Sequence, residues 1–312
     1  MSNNIRNIIL MGKTGNGKSS TGNSILMQRG AFKEAGWFGS VTKTSEINST
    51  KITDPIDHQE YSINVIDTPG LFDGTTTLTR VSQEIVRCMA LAKEGVHAFV
   101  AVLKIGHRFS EEEAKAIDHL EELFGPEAVD RMIVVFTNED ELKSPEEWDH
   151  KLRTAPPLLR NFLGRCHNRI VLFNNNAYEL GKDKARSHID FQAFLAGFLH
   201  RCCNRIVLCD EEAELTAEGK AKLERQRWEL LRLVNHVVSE NGGKAYTSDI
   251  FEKVKDAVEN QEQVLKTNPT SETDGNEFLK PAMDELLPRL LSLFVTKVGP
   301  VVADKIPCCS IM

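Results

Sequence analysis

The segment Gly12–Ser19 is the feature that most restricts the fold of this 312-residue chain. Its residues read GKTGNGKS, which matches the pattern GxxxxGK[ST], and the apolar run Asn7–Met11 precedes it directly. A strand followed by such a loop and a helix surrounds phosphate groups with main-chain N–H groups. We therefore predict a nucleotide-phosphate site made by Gly12, Lys13, Thr14, Gly15, Asn16, Gly17, Lys18, Ser19 and Ser20.

Two side chains of this loop have predicted chemical roles. Lys18 is expected to neutralise the β- and γ-phosphate oxygens, which makes it the first candidate catalytic residue. Ser19 is expected to offer its hydroxyl oxygen to Mg²⁺. The loop therefore predicts a nucleoside triphosphate or diphosphate together with Mg²⁺ as ligands.

A second motif, DTPG at Asp67–Gly70, follows the next apolar strand. At that position the Asp67 carboxylate can hold Mg²⁺ through water, and the Gly70 N–H can meet the γ-phosphate. Between the two motifs, Thr42 or Thr44 offers a further hydroxyl for Mg²⁺ in a nucleotide-sensitive loop, and Thr42 is preferred. A plain solvent-exposed loop is the alternative for either residue. The predicted metal ligands are thus Ser19, Thr42 and Asp67, with Thr42 also placed among the catalytic residues.

Short apolar runs alternate with amphipathic stretches along the first two thirds of the chain. This order is typical of an α/β domain in which helices cover a mostly parallel sheet. A polar loop between Lys51–Thr53 and Tyr61–Ile66 adds one antiparallel hairpin at the sheet edge. The predicted fold is a Ras-like P-loop G domain with strands at Asn7–Met11, Tyr61–Ile66, Ala98–Leu103, Met132–Phe136 and Ile170–Phe173.

The spacing of apolar residues becomes helical after the G domain, for which we predict residues 6–210. A helical extension is predicted at residues 211–266, with a turn at Asn241–Gly243 and a second helix capped by Thr247 or Ser248. A flexible linker rich in Thr, Ser, Asn, Asp and Pro is predicted at residues 267–276, and an amphipathic helix with a tail at residues 277–312.

Recognition of guanine requires a carboxylate that accepts hydrogen bonds from two donors on one edge of the base. Asp140 is the candidate, because Thr137–Asp140 follows the predicted strand Met132–Phe136. The usual pattern [NT]KxD has lysine where this chain has Asn138, so the lysine stem that covers the base is absent. A helix-capping role for this cluster is the alternative.

A further contact to the base is expected from the loop after the next strand, where Asn174 and Asn175 follow Phe173. The sequence of residues 165–172 recurs with small changes at residues 201–208, which indicates a local duplication. The second copy ends in Asp210 and Glu211, so either copy can supply this loop. The spacing from Asp140 favours the first copy.

The formal net charge of −7 argues against a nucleic-acid partner, because such binding needs clustered Lys and Arg. The short polar start predicts a cytosolic protein, and no apolar run approaches the length that spans a bilayer. The ending Cys309–Met312 reads as a prenylation motif, and Cys308 is a candidate for palmitoylation. We therefore expect a peripheral, lipid-anchored protein on the cytosolic face of a membrane. The alternative is that Cys309 stands four residues from the end by chance and is not prenylated.

Several segments together resemble the immunity-associated nucleotide-binding GTPases, also called the GIMAP family, with plant members the most similar. They are GKTGNGKSSTGNSIL, GSVTK, DTPGLFD and RFSEEE, at Gly12–Leu26, Gly39–Lys43, Asp67–Asp73 and Arg108–Glu113, and the helical segment Leu230–Phe251. The resemblance covers roughly Asn7–Asn260. It implies a septin-like G domain that binds GTP and GDP, associates through its nucleotide face and often sits on an internal membrane.

The expected activity is slow hydrolysis of GTP. Leu71 stands where Ras-like enzymes carry the glutamine that orients the attacking water. Arg108 is the candidate for an arginine supplied across a G-domain homodimer or oligomer, and a surface ion pair with Glu111 or Glu112 is the alternative. The sequence therefore predicts a slow, dimer-stimulated GTPase switch. The rival prediction is a nucleotide-stabilised membrane scaffold with negligible turnover.

Overall fold

A computed structural model gives the architecture of the chain. It describes residues 4–28, 30–33, 42, 44–55, 58–70, 78–111, 113–114, 121, 124–173, 217–267, 284 and 288. The strands are β1 (Ile5–Met11), β2 (Glu46–Thr53), β3 (Glu60–Asp67), β4 (Ala98–Lys104), β5 (Met132–Thr137) and β6 (Ile170–Leu172). The helices are α1 (Lys18–Leu26), α2 (Leu78–Leu91), α3 (Pro126–Val129), α4 (Pro145–Arg153), α5 (Pro157–Arg165), α6 (Ala217–Glu240) and α7 (Asp249–Thr267).

The six strands form one sheet in the order β2-β3-β1-β4-β5-β6. Strand β2 pairs antiparallel with β3, and the other neighbouring strands are parallel. The carboxyl ends of parallel strands meet at one edge of a sheet, and ligands of such folds bind there. The predicted α/β P-loop G domain is confirmed, and its motifs after β1, β3 and β5 lie at this carboxyl edge.

Apolar residues cover both faces of the sheet, because successive residues of a strand point to opposite sides. In β1, Ile8 and Leu10 face one layer while Ile9 and Met11 face the other. This two-sided burial explains why the central strands read as continuous apolar runs rather than alternating ones. The first layer is completed by α1 and α6, and the second by α2, α4, α5 and α7.

The helical extension packs on both faces of the G-domain sheet. Its apolar side chains in α6 join the first layer, and those of α7 join the second. The turn between these helices crosses the edge opposite the carboxyl ends, where Tyr246 forms an antiparallel bridge with Val96. Ser248 caps α7, since its Oγ accepts from the Phe251 N–H at 3.3 Å. The helix includes Thr267, where the sequence predicts the linker to begin.

A buried histidine lies at the same edge of the sheet. His97 is 2 % exposed, and its Nδ1 accepts a hydrogen bond from the Asn7 N–H at 2.9 Å. A proton on Nδ1 would point at the Asn7 N–H, so that two hydrogen-bond donors would face each other. Burial, together with the positive charges of Arg6 and Arg131, lowers the pKa of His97 to about 3. His97 is therefore neutral in the folded protein at neutral pH.

We expect His97 to make the folded state sensitive to acid. Its pKa is lower in the folded than in the unfolded chain, so its stabilising effect is complete above about pH 6.5 and declines as the pH falls towards 3. The free energy of unfolding should fall by up to about 1.4 kcal/mol per pH unit within that window. Urea titrations at several pH values would give the free energy of unfolding at each pH. This free energy should depend less steeply on pH in His97→Asn than in the exposed-site control His236→Gln. Equal slopes would contradict this assignment.

Candidate nucleotide-binding site

The glycine-rich loop connects the end of β1 to the start of α1 directly above β4. Gly12 has φ of +146°, and a Cβ atom added there would lie 2.4 Å from the Val102 carbonyl oxygen. A side chain is therefore excluded by strand β4 as well as by the backbone conformation. This close approach keeps the loop low against the carboxyl edge of the sheet.

Helix α1 presents its amino end to the space above the loop. Gly17 precedes the helix without a side-chain cap, and the first turn contains no acidic residue. The N–H groups of such an end and the helix dipole attract anions. Lys18 adds a full positive charge: its Nζ lies 3.1 Å from the carbonyl oxygens of both Gly12 and Lys13, and the residue is 7 % exposed. The site therefore suits a polyphosphate.

Three oxygen-bearing side chains from separate segments meet beside Lys18. The Ser19 hydroxyl donates to Asp67 Oδ2 at 2.6 Å, the Thr42 hydroxyl donates to the same oxygen at 3.2 Å, and the two hydroxyl oxygens are 3.3 Å apart. Such hard oxygen groups are the ligands that Mg²⁺ prefers. The structure thus brings together the three residues that the sequence predicts as metal ligands.

The Asp67 carboxylate is fully buried, and its Oδ1 has no hydrogen-bond partner among the described residues. Burial raises the pKa of Asp67, while the hydrogen bond from Ser19 and the charge of Lys18 oppose that rise. A buried acceptor without a partner is costly unless a ligand satisfies it. The carboxylate therefore fits a bound cation or a water molecule of its hydration shell.

The chain after Thr42 is bonded to helix α2 through Ser45. Glu84 Oε2 accepts from the Ser45 N–H at 2.6 Å and from the Ser45 hydroxyl at 2.7 Å. Arg87 Nε donates to the Ser45 carbonyl oxygen at 2.7 Å. Ser45 is fully buried and Glu84 is 7 % exposed, so these hydrogen bonds are largely shielded from water. We call this arrangement the Ser45 clamp.

The turn after β5 lies beside the loop and is bonded to it. Thr137 Oγ1 donates to the Asn16 carbonyl oxygen at 2.9 Å. Asn138 has φ of +62°, a conformation that asparagine tolerates, and its side-chain amide donates to Glu141 Oε1 at 3.2 Å. The Glu139 N–H donates to the Phe173 carbonyl oxygen, which ties this turn to the end of β6. The main chain of Asp140 lies in a short 3₁₀ helix at Glu139–Glu141.

A model of the AIG1 family matches residues 6–192 and 179–265. The chain belongs to the AIG1 family. The two matched ranges overlap at residues 179–192, between the two copies of the repeat at residues 165–172 and 201–208. The match confirms the resemblance to the immunity-associated nucleotide-binding GTPases that the sequence motifs indicate.

The chain is similar to plant proteins along most of its length. Immune-associated nucleotide-binding protein 9 of Arabidopsis thaliana is 34 % identical over 306 residues, which cover 95 % of this chain and 76 % of the relative. Immune-associated nucleotide-binding protein 3 of the same plant is 41 % identical over 194 residues, which cover 62 % of this chain but only 55 % of the relative. This AIG1-family chain thus spans part of each of these two relatives.

Among solved structures, Toc33 from Arabidopsis thaliana in complex with GDP and Mg²⁺ is similar to this chain. It is 16 % identical and has a TM-score of 0.46 over 75 % of this chain and 85 % of the Toc33 chain. The strand order and the loop geometry of this AIG1-family protein are themselves those of a G domain.

The RFSEEE segment of the AIG1-family protein lies at the carboxyl edge, after β4. Phe109 stacks on Phe162 with 5.7 Å between ring centroids, which fastens the segment to α5. Arg108 is exposed beside it, and within the described residues no ion pair connects it to Glu111. The structure therefore presents the Arg108 side chain on the same edge of the sheet as the nucleotide site.

Other predicted positions lie outside the described residues. These are Leu71, Glu112, Asn174, Asn175, the second repeat copy, Cys308 and Cys309, and for Asp140 the side chain. Their roles stay predictions from the sequence. Within the described ranges, no helix is both long and apolar enough to cross a membrane.

Sequence reasoning missed the contact of Glu113 with the loop. Glu113 Oε1 accepts a hydrogen bond from Asn16 Nδ2 at 3.1 Å. The sequence contains a usable signal, because Ser110 and Glu113 match the S-x-x-E pattern that starts helices. That signal places Glu113 at a helix start but does not predict its long-range contact with Asn16.

Proposed function

We propose that this protein is a guanine-nucleotide switch that binds GTP or GDP with Mg²⁺ and hydrolyses GTP slowly. The observation that carries the proposal is the meeting of Ser19, Thr42 and Asp67 beside Lys18, with 2.6 Å between Ser19 Oγ and Asp67 Oδ2. Lys18 and the amino end of α1 would hold the phosphates, and the three oxygen groups would hold Mg²⁺. The metal, when bound, would neutralise charge on the β- and γ-phosphates.

Selection of guanine is part of this proposal and depends on Asp140. Its carboxylate would accept from the N1–H and the amino group of guanine, whereas adenine offers no such pair of donors on that edge. The position of the turn after β5 supports this role, because Thr137 bonds the turn to the phosphate loop. Asn138 and the loop that begins at Asn174 would complete the base contacts.

Stimulation by a second copy of the chain is the finer part of the proposal. Slow intrinsic turnover follows from Leu71, which lacks a group to orient water. Arg108 is exposed at the carboxyl edge, so it would be able to enter the site of a partner copy and stabilise charge that develops on the γ-phosphate. An arginine supplied in this way typically accelerates hydrolysis by about 10³-fold or more.

We expect GTP turnover per molecule to increase with protein concentration. The parent, Arg108→Ala and the control Arg153→Ala, an exposed arginine on α4, would be compared from nanomolar to high micromolar concentration. Arg108→Ala should keep its GDP affinity but lose the increase, while Arg153→Ala should behave as the parent. An unchanged increase in Arg108→Ala would exclude the arginine from this role, and absence of nucleotide binding by the parent would refute the proposed function.

A nucleotide-stabilised scaffold is the second candidate, and Leu71 favours it. The same measurement separates the two, because a scaffold would bind nucleotide tightly with turnover that stays near zero at every concentration. The relatives are named immune-associated proteins, and we extend an immune or stress setting to this chain as part of the proposal. Action at a membrane through Cys309 and Cys308 rests on the sequence alone; membrane recovery of the parent but not of Cys309→Ser would support it.

A further inference from the structure

We propose that Glu113 is a positioning residue that holds the phosphate-binding loop in its working conformation and couples nucleotide retention to the RFSEEE segment. The inference deepens the proposed function and rests on it for the identity of the ligand. It is carried by the contact between Glu113 Oε1 and Asn16 Nδ2 at 3.1 Å, which joins a helix start to the centre of the loop.

Asn16 is the point at which the loop is fastened from three sides. Its Nδ2 donates to the Val102 carbonyl oxygen at 2.9 Å as well as to Glu113, and its own carbonyl oxygen accepts from Thr137. The residue is 4 % exposed, and these two contacts satisfy both hydrogens of its side-chain amide inside the protein. Loss of one acceptor would leave a buried donor without a partner, which is costly.

The neighbours of Asn16 make this fastening necessary. Gly15 and Gly17 have φ of +84° and +90°, and glycine has the largest conformational freedom of any residue. The loop must nevertheless keep its N–H groups directed at the phosphates. Contacts at Asn16 therefore supply the order that the two flanking glycines cannot supply.

Glu113 is itself held in place by Ser110, which precedes the helical residues 111, 113 and 114. Its Oε2 accepts from the Ser110 N–H at 3.0 Å, and its own N–H donates to Ser110 Oγ at 3.3 Å, which is a reciprocal capping box. One carboxylate thus serves two ends, with Oε2 on the helix start and Oε1 on the loop. A partner that displaced residues 108–113 would also disturb Asn16 and hence the hold on the nucleotide.

Two effects of removing Glu113 have opposite signs. Loss of a negative charge near an anionic ligand should strengthen binding, whereas loss of the acceptor for Asn16 should loosen the loop. Glu111 lies in the same segment and is exposed, so Glu111→Ala removes an equal charge without touching Asn16. Ser110→Ala removes the hydroxyl side of the capping box and leaves the Asn16 contact intact.

The test uses the full chain and two readouts. The first is hydrogen–deuterium exchange of the loop peptide around Asn16 without added nucleotide, and the second is the release rate of fluorescently labelled GDP. Glu113→Ala should exchange faster at residues 13–17 and release GDP about 5- to 50-fold faster than the parent. Ser110→Ala should change the GDP release rate by less than about 3-fold. Glu111→Ala should release GDP at the same rate as the parent or slightly more slowly.

A double-mutant cycle distinguishes positioning from a general loss of stability. Asn16→Ala combined with Glu113→Ala should release GDP within about 3-fold of Asn16→Ala alone, because Asn16→Ala already removes the contact with Glu113. Glu113→Gln keeps an acceptor for Asn16 and should recover most of the retention. Additive effects, or a Ser110→Ala variant as fast as Glu113→Ala, would overturn the inference. If the parent did not retain GDP, the proposed function would fail, and the exchange data would still decide the role of Glu113.

Discussion

Replacement of Lys18 by alanine is expected to weaken GDP and GTP binding by about 100-fold or more. Each hydrogen bond to a charged group is worth about 1.5–3 kcal/mol, and we expect the ammonium, when nucleotide binds, to make two of them with phosphate oxygens in exchange for its contacts with the Gly12 and Lys13 carbonyl oxygens. Lys18 is 7 % exposed and lies in the loop at the amino end of α1, so water cannot readily replace its charge. Affinity would be measured by calorimetric titration with GDP and Mg²⁺.

A matched lysine outside the site provides the control. Lys51 lies on strand β2, its side chain is 71 % exposed, and its partner is Glu60 at 3.2 Å. Lys51→Ala should bind GDP as the parent does, and thermal unfolding without nucleotide should show both variants to be folded. A Lys18→Ala protein with the affinity of Lys51→Ala would mean that the phosphates do not occupy this loop.

Replacement of Phe251 by alanine is expected to lower the free energy of unfolding by about 3–5 kcal/mol. The side chain is fully buried, so its removal leaves a cavity within the second apolar layer. For a domain of this size the melting temperature should fall by roughly 6–20 °C. Circular dichroism and calorimetry would measure the change in the full chain.

Lys253 supplies the control for this second variant, because it lies exposed on the same helix. Lys253→Ala should leave the melting temperature within about 1–2 °C of the parent. One cooperative transition in Phe251→Ala is expected, since α6 and α7 pack on opposite faces of a single sheet. A separate early transition for the extension, with the main transition unmoved, would show that the extension does not stabilise the G domain.

The sequence was sufficient to predict the central strands and the two helices of the extension. Strands such as Ala98–Lys104 and Met132–Thr137 are buried on both faces, which makes them unmistakable apolar runs. Strand β2 was predicted only at Lys51–Thr53 but spans Glu46–Thr53, because an edge strand that is largely exposed carries polar residues and lacks a clear alternation. Helical periodicity predicts an apolar face but not its partner, so the packing of α6 and α7 on opposite layers was not foreseeable.

The candidate site shows the same division between local and long-range information. Lys18, Ser19 and Asp67 belong to short motifs whose spacing is set by a strand end and a loop, and such patterns can be read directly. The contact of Asn16 with Glu113 joins residues 97 positions apart, and the Ser45 clamp joins residues about 40 positions apart. Only the tertiary structure brings these groups within hydrogen-bonding distance.

The Ser45 clamp determines how far a rearrangement at Thr42 can extend. Ser45 is bonded to α2 through its N–H, its hydroxyl and its carbonyl oxygen, so it acts as a fixed pivot three positions beyond Thr42. Movement of Thr42 relative to the metal ligands either stops at this pivot or takes α2 with it. Because α2 contacts α7, a movement of α2 would also shift the extension, so that the position of α7 would report the state of the nucleotide site. A spectroscopic label on the exposed side of α7, at Lys253, would then distinguish the GDP-bound from the GTP-bound protein.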